Sequence, residues 1–213
     1  MSDDGIRYII ILSSPSGAGK TTLTKMIAAQ NDNYAISVSC TTRKPRENEV
    51  EGKDYYFVDK VKFNELIKKN EFYEHSVIFN NNYGTLKKTV SNHLVKGNNV
   101  LLDIDWQGTR QIKNQVESNK LITIFILPPS IKVLKDRLVN RDQQGKEIAT
   151  ERMKTFKNEL SHWQEYDFVV INKDLQKCYQ TILEIINAKK NNAKFNYKNE
   201  EIQDKVNQLI SQS

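Results

Sequence analysis

The stretch that decides the fold is Ser14-Pro15-Ser16-Gly17-Ala18-Gly19-Lys20-Thr21-Thr22. It follows a short apolar run, Tyr8 to Leu12, and precedes a helix-like segment from Leu23 to Ala29. A buried strand that leads through a glycine-rich turn into a helix brings several backbone N–H groups together at the positive end of that helix. The pattern therefore predicts a phosphate-binding loop, Ser14 to Thr22, that binds a nucleotide polyphosphate.

Two side chains of this loop have predicted chemical roles. Lys20 would reach the outer phosphates, and the Thr21 hydroxyl would ligate Mg²⁺. The usual motif begins with glycine, and here its first position is Ser14. A serine at positive φ would cost about 1–2 kcal/mol, whereas at ordinary φ it costs nothing. The alternative interpretation is an accidental Gly/Ser turn before a helix.

Composition limits the classes of protein to consider. The 213 residues, 38% of them hydrophobic, can bury one substantial core with small inserted subdomains. The first apolar run is too short for a signal-peptide core or a membrane span, so we expect a cytoplasmic protein with no membrane partner. The net charge of +6 is spread along the chain, which favours small anionic substrates over nucleic acid.

Cysteine and histidine usage indicates neither a disulfide framework nor a metal site. The two cysteines, Cys40 and Cys178, have no C-x-x-C spacing, and we expect both to be reduced. The histidines His75, His93 and His162 also lack metal-ligand spacing and are interpreted as surface or packing residues.

Apolar strand-like runs alternate with helical segments along the chain. Continuous apolar strands indicate a parallel sheet covered by helices on both faces, with ligands at the carboxyl ends of the strands. The fold class is therefore α/β. The predicted strands are Tyr8–Leu12, Tyr34–Val38, Val100–Ile104, Leu121–Leu127 and Phe168–Ile171.

Two stretches interrupt this alternation and divide the chain into three predicted parts. Residues 37–90 are polar, aromatic and strand-rich around one short helix, Lys60–Lys69, which suits an inserted substrate subdomain. Residues 137–152 are charged, contain glycine and suit a small lid. The core would comprise 1–36, 91–136 and 153–213. Near its end, Ile202, Val206, Leu209 and Ile210 are spaced for one face of a terminal helix, a candidate for self-association into a homo-oligomer.

Several motifs resemble, in order, those of the guanylate kinases, a family of nucleoside-monophosphate kinases with the P-loop NTPase fold. The resemblance covers residues 8 to about 186 and is more specific than the phosphate-binding loop alone. It implies transfer of the γ-phosphoryl group of Mg·ATP to GMP, and we expect to dGMP, giving ADP and GDP in purine nucleotide metabolism. The motifs are Ser39 to Phe57, Glu71-Phe72-Tyr73-Glu74, Tyr83-Gly84-Thr85 and Leu102 to Gly108.

The resemblance implies a GMP site in the inserted part. Two arginines and two tyrosines would hold the phosphate dianion, for which guanidinium forks and phenolic donors are well suited. The Glu74 carboxylate would accept hydrogen bonds from guanine N1–H and the N2 amine, a donor pair that adenine lacks on this edge. The implied GMP-binding residues are Ser39, Arg43, Arg46, Tyr55, Glu74, Tyr83, Gly84, Thr85 and Asp105.

The resemblance also implies the ATP site and the catalytic groups. The phosphate-binding loop would act with Arg137, Arg141, Arg152 and Asn172, the last near the adenine ring. Lys20, Arg141, Arg152 and Asp103 would be the catalytic residues. Mg²⁺ would be held by Thr21 and, through water, by Asp103.

Alternatives remain open for these residues. Asp103 or Asp105 could cap the following helix, Tyr55 and Tyr83 could be packing aromatics, Arg43 with Arg46 could form a solvated face, and Arg137 could serve surface pairing. Two other functions also remain open: a protein-binding module with a guanylate-kinase-like fold, and a kinase with a different small acceptor.

Overall fold

The computed structural model describes residues 5–141, 146–193, 195 and 199–213, without the side chains at 140, 141, 146–149, 151 and 199. The strands are β1 (Ile9–Ser13), β2 (Tyr34–Ile36), β3 (Cys40–Thr41), β4 (Tyr56–Phe57), β5 (Phe72–Ile78), β6 (Asn81–Leu86), β7 (Asn99–Asp103), β8 (Leu121–Leu127) and β9 (Phe168–Ile171). The α-helices are α1 (Lys20–Gln30), α2 (Lys60–Lys68), α3 (Lys87–Val95), α4 (Trp106–Lys113), α5 (Ile131–Arg141), α6 (Lys146–Ser161), α7 (Leu175–Lys190) and α8 (Asn199–Ser211).

The central sheet confirms the predicted α/β class. Its strand order is β2-β7-β1-β8-β9, and β2 pairs parallel to β7, as β8 does to β9. Every residue of β8 is buried, as its continuous apolar run predicts for a covered parallel strand. The prediction for β2 ran too long, to Val38. The Ser37 N–H still donates to the Leu101 carbonyl at 3.0 Å, but regular pairing has already ended at Ile36.

The chain divides into two compact units. The first comprises residues up to Ile11 and Asn31–Leu121, and the second comprises Leu12–Gln30 and Ile122–Ser213. The predicted division into a core, an inserted subdomain of residues 37–90 and a lid of residues 137–152 stays a prediction.

The first unit contains a small second sheet, of order β4-β3-β6-β5. Its strands contribute Cys40 and Phe72 to an apolar cluster with Phe63, in which the two phenyl rings stack with centroids 4.7 Å apart. Helix α2 joins this cluster through Phe63, and the carboxylate of Asp59 caps its start by accepting from the Lys62 N–H at 2.7 Å. The helix packs against the sheet that carries four of the predicted GMP-binding residues, Glu74, Tyr83, Gly84 and Thr85.

The second unit contains the phosphate-binding loop and the C-terminal helices. Helix α8 lies beside β9 and buries Ile202, Val206 and Leu209, whereas Ile210 is 45% exposed. The predicted apolar face was therefore one residue too wide, because Ile210 lies about 100° around the helix from Leu209. The Lys205 ammonium donates to the Pro129 carbonyl at 3.0 Å. Within the described residues, no helix is long and apolar enough to cross a membrane.

Candidate active site

The backbone of the phosphate-binding loop has the conformation that its glycines predict. Gly17 and Gly19 have φ of 87° and 102°, in the left-handed region that glycine adopts without strain. Ser14 is not among the described residues with positive φ, so serine at this position carries no backbone strain. A Cβ on Gly17 would also lie 3.0 Å from the Leu138 side chain, which would have to shift to admit it.

The Ala18 carbonyl is held by two side chains that the sequence assigns to ATP. The Asn172 amide donates to it at 2.8 Å, and the Arg137 guanidinium donates to it at 3.3 Å. Asn172 is buried, and its Oδ1 has no hydrogen-bond partner among the described residues. Because buried polar atoms are nearly always paired, this oxygen is a ready acceptor for a ligand donor. Arg137 therefore contacts the loop directly, rather than serving only surface pairing.

Ser16 is held from helix α6 through both its backbone and its side chain. Its N–H donates to Glu159 Oε2 at 2.9 Å, and the Arg152 guanidinium donates to its hydroxyl at 3.3 Å. The Thr155 hydroxyl donates to Glu159 Oε1 at 3.0 Å. Sequence reasoning found Arg152 but missed Glu159. Its spacing was a usable signal, since residues 152, 155 and 159 follow the i, i+3, i+7 pattern of one helix face.

The structure describes Lys20, Thr21 and Thr22 of the predicted ATP site, but not the side chain of Arg141. Lys20 begins α1, and Thr21 and Thr22 follow it in the first turn. Arg141 is the last residue of α5, and its side chain lies outside the described part. Residues 142–145 of the predicted lid also lie outside it.

In the first unit, the predicted phosphate-binding side chains lie together. The Arg43 Nε donates to the Tyr83 hydroxyl at 3.2 Å, and its guanidinium carbon lies 5.4 Å from the centre of the Tyr55 ring. The Tyr55 and Tyr83 rings meet edge to face with centroids 6.0 Å apart. The strand β6 supplies Tyr83 and the loop before β4 supplies Tyr55, so tertiary folding assembles this cluster.

Glu49 joins the two predicted arginines and was not anticipated. One carboxylate oxygen is 2.8 Å from Arg43 Nη2 and 3.0 Å from Arg46 Nη1. Burial alone would raise the pKa of Glu49, but the hydrogen bonds and positive charges of Arg43 and Arg46 outweigh it and lower that pKa. Burial lowers the pKa of Arg43, and its bonds to Glu49 and Tyr83 more than reverse this effect. The two arginines are therefore an oriented pair rather than a solvated face.

The predicted guanine-recognition pair is also in contact. The Thr85 hydroxyl donates to Glu74 Oε1 at 2.6 Å, and both residues are buried. They lie opposite each other on β5 and β6, next to an irregularity in register between Phe72 and Glu74. Gly84 pairs with Cys40 of β3, and the carbonyl of Ser39 accepts from the Tyr56 N–H at 2.9 Å. Gly84 and Thr85 thus belong to the same small sheet as Glu74, and Ser39 immediately precedes its strand β3.

The two predicted aspartates flank the end of β7. Asp103 is the last residue of that strand. The Asp105 carboxylate caps α4 by accepting from the Gly108 N–H at 2.9 Å, so the capping alternative holds for its side chain. Its assignment to GMP stays a prediction. Asp103 belongs to the first unit and Thr21 to the second.

Within the described residues, no group of three or more His, Cys, Asp and Glu side chains could hold a metal ion. Both cysteines are free, as their spacing predicts, and the structure shows that both are buried. Burial and the neighbouring charge of Glu51 raise the pKa of Cys40 to about 11, so its thiol is unreactive at neutral pH. It is a packing residue of the small sheet.

Comparison with known proteins identifies the family. A sequence model described as guanylate kinase matches residues 6–189. The chain is 50% identical over 182 residues to a guanylate kinase of Rickettsia prowazekii (strain Madrid E), covering 85% of this chain and 91% of that protein. It is 48% identical over 185 residues to one of Rickettsia felis, covering 87% and 95%. A crystal structure of guanylate kinase from Anaplasma phagocytophilum superposes with a TM-score of 0.73 at 35% identity, covering 87% of each chain.

Proposed function

The chain belongs to the guanylate kinase family, and on that premise we propose that its second unit binds ATP and its first unit binds GMP. The reaction of this family is ATP + GMP = ADP + GDP. What remains to be assigned is the role of each residue, and the contacts within each unit support the assignments that follow.

The phosphate-binding loop takes the ATP phosphates through its backbone N–H groups and Lys20. Asn172 and Arg137 hold the Ala18 carbonyl by hydrogen bonds. In a trans peptide the N–H of the next residue, Gly19, points to the opposite side from this carbonyl, so its direction is fixed as well. The buried Asn172 Oδ1 accepts from the amino group of adenine, which is a donor of the required type. Arg152, and with it Arg141, neutralises charge on the phosphates.

The cluster of Arg43, Arg46, Tyr55 and Tyr83 takes the phosphate of GMP. Its two guanidinium groups are already held side by side on Glu49, so little side-chain entropy is lost when they meet a dianion. The phenolic hydroxyls of Tyr55 and Tyr83 add neutral hydrogen-bond donors to the same phosphate. Arginine forks match phosphate geometry better than lysine would.

The observation that carries the substrate assignment is the buried Glu74–Thr85 pair, which lies on the same small sheet as Tyr83 of this cluster. Tyr83 and Thr85 are two residues apart on β6 and therefore face the same side. One face of the strand thus carries a phosphate contact and a base contact in succession. A carboxylate at the base end selects the N1–H and N2 amine of guanine and rejects adenine, whose N1 is an acceptor.

Mg²⁺ fits the oxygen donors that the chain offers. Thr21 offers a hydroxyl as a hard oxygen ligand, and Asp103 offers a carboxylate that holds the ion through water, since Mg²⁺ keeps several waters and commonly takes only one or two protein ligands beside substrate phosphates. When bound, the ion supplies charge neutralisation on the transferring phosphates.

The protein's own contribution to the reaction is positioning and charge. An oxygen of the GMP phosphate attacks the γ-phosphorus of ATP, the bond to the β-phosphate oxygen breaks, and ADP leaves. A phosphate acceptor is already ionised, so it needs little help from a general base. Lys20 and the lid arginines stabilise charge on the transferring group, and closure of the lid excludes water.

The test is an assay of ADP formation from Mg·ATP with GMP, dGMP, AMP, UMP and CMP offered separately. We expect turnover of GMP and dGMP, and a kcat/KM for AMP lower by at least about a thousandfold, because the site would leave polar groups unpaired. Equal rates with AMP would point to a different acceptor, and no turnover with any nucleotide would favour a binding module.

Lys20→Met tests the role of the phosphate-binding loop, and Lys25→Met is its matched control. We expect Lys20→Met to remove most activity with an unchanged melting temperature, because it deletes a charge from the phosphates and keeps the bulk. Lys25→Met alters an exposed lysine of the same helix and should leave turnover intact. Near-normal turnover in Lys20→Met would exclude the loop from phosphoryl transfer.

A further inference from the structure

Strand β5 is an edge strand whose outer side is covered by side chains. It lies at the end of the order β4-β3-β6-β5, so one row of its backbone groups has no strand partner within the described sheet. Such groups cost free energy when they are buried without partners, and they invite pairing with other chains when they are exposed. Two glutamines, one on α4 and one just after its end, lie along this row.

The first glutamine makes the two bonds that a neighbouring strand residue would make. Gln111, on α4, accepts from the His75 N–H at 3.1 Å and donates to the His75 carbonyl at 2.8 Å. The second, Gln115, lies two residues beyond the end of α4 and donates to the Tyr73 carbonyl at 2.6 Å. The Gln115 amide also donates to the Gln111 carbonyl at 3.1 Å, which links the two.

These contacts fall on both sides of Glu74. The residue before it and the residue after it are each fixed by a glutamine, and the register irregularity between Phe72 and Glu74 lies at the same place. Irregularities of this kind turn a side chain toward a site. The main chain that aims the Glu74 carboxylate is therefore held from the helix as well as from β6.

The same helix face approaches the carboxylate itself. A Cβ built on Gly108 would lie 2.5 Å from Glu74 Oε2, so only glycine lets the helix come this close. Gly108, Gln111 and Gln115 follow the i, i+3, i+7 spacing of one face. Glycine admits the carboxylate, and the glutamines fix the strand that carries it.

We propose that Gln111 and Gln115 are positioning residues for base recognition, which set the aim of Glu74 by bracketing its main chain. The inference rests on the proposed function, since it assigns these residues to the guanine end of that site. If they served only to protect a sheet edge, the preference of the enzyme for guanine would not depend on them.

The test compares the double variant Gln111→Met, Gln115→Met with the unaltered chain. Methionine keeps the length and bulk of glutamine and removes its hydrogen bonds. Loss of about three hydrogen bonds should raise the KM for GMP about tenfold, while the KM for ATP changes less than about twofold. The preference for GMP over IMP, which lacks the N2 amine, should fall about fivefold.

Controls separate positioning from stability. Gln176→Met with Gln180→Met alters two exposed glutamines of α7 and should change none of these constants. Amide hydrogen exchange of His75, followed by NMR, should be faster in Gln111→Met, because its acceptor is lost.

The outcomes are distinguishable. A raised GMP KM with a lowered GMP/IMP preference supports the inference. An active double variant with unchanged KM and unchanged preference overturns it, even if the melting temperature falls, and so does an unchanged exchange rate at His75. Absence of GMP turnover in the unaltered chain would instead overturn the proposed function.

Discussion

The carboxylate of Glu159 on α6 accepts a hydrogen bond from the backbone N–H of Ser16 at 2.9 Å, which ties the phosphate-binding loop to the helix that begins within the predicted lid. Arg152 on the same helix donates to the hydroxyl of Ser16 at 3.3 Å. The position of α6 and the conformation of the loop are therefore coupled through one residue. Arg152 and Glu159 of the same helix thus both bind the phosphate-binding loop at Ser16.

Glu159→Ala should impair ATP use more than GMP use. A hydrogen bond to a charged group contributes about 1.5–3 kcal/mol, so we expect kcat/KM for ATP to fall roughly tenfold to a hundredfold, and the KM for GMP to change little. Glu159→Gln keeps an acceptor oxygen and should lose less. Steady-state kinetics with ATP varied at saturating GMP measures the effect. Glu184→Ala, an exposed residue of α7, is the control. A larger loss with GMP than with ATP would contradict the assignment.

Arg152 and Arg43 should have opposite kinetic signatures. Arginines that meet charge chiefly in the transition state can contribute about 10³–10⁵ in rate, so Arg152→Ala, and likewise Arg141→Ala, should lower kcat at least a hundredfold with only a few-fold change in GMP affinity. Arg43→Ala should mainly weaken GMP binding, because its partner is the ground-state phosphate. Steady-state rates and calorimetric GMP binding measure both. If a lid variant lost GMP affinity but kept kcat, the ATP and GMP sites would have been assigned the wrong way round.

Gly108→Ala should damage substrate binding without unfolding the protein. Alanine is favoured over glycine within a helix by about 1 kcal/mol, which offsets part of any strain. The added methyl would meet the Glu74 carboxylate, which is buried and bonded to Thr85 and has little room to move. We expect a GMP dissociation constant raised at least about tenfold at a nearly unchanged melting temperature. Unaltered GMP binding would show that Glu74 does not need its present position.

Acid should weaken the phosphate cluster through Glu49. Its pKa is lowered in the folded state, so its stabilisation is complete above its unfolded pKa near 4.5 and is lost as the pH falls through the lowered folded value. Glu49→Gln should therefore cost about 0.5–1 kcal/mol at pH 7. That difference from the unaltered chain should disappear toward pH 3. Thermal unfolding from pH 7 to pH 3 measures it, with the exposed Glu47→Gln as control. A difference that persists at pH 3 would point to lost packing instead.

Much of the fold could be predicted from the sequence because its information is local. A glycine-rich turn between a buried strand and a helix specifies the phosphate-binding loop, and the apolar run of β8 specifies a covered strand with its observed bounds, Leu121–Leu127. The motifs of residues 39–57, 71–74 and 83–85 identified the family, which the comparisons confirm. Strand ends were less well predicted, as at Ile36, because pairing with β7 decides where β2 stops.

What the sequence by itself determined is the α/β fold class and the family, since chemical type and spacing along the chain are enough to recognise them. The same motifs predict which residues bind phosphate and a purine. Only the tertiary structure decided which residues support them. Glu49 forms ion pairs with two arginines. Glu159 accepts from the Ser16 N–H, and Gln111 accepts from the His75 N–H at the edge of β5, next to Glu74. The sequence predicted no role for any of the three, although Glu49 lies within the motif of residues 39–57, because each acts through a hydrogen bond to a group that only folding brings within about 3 Å.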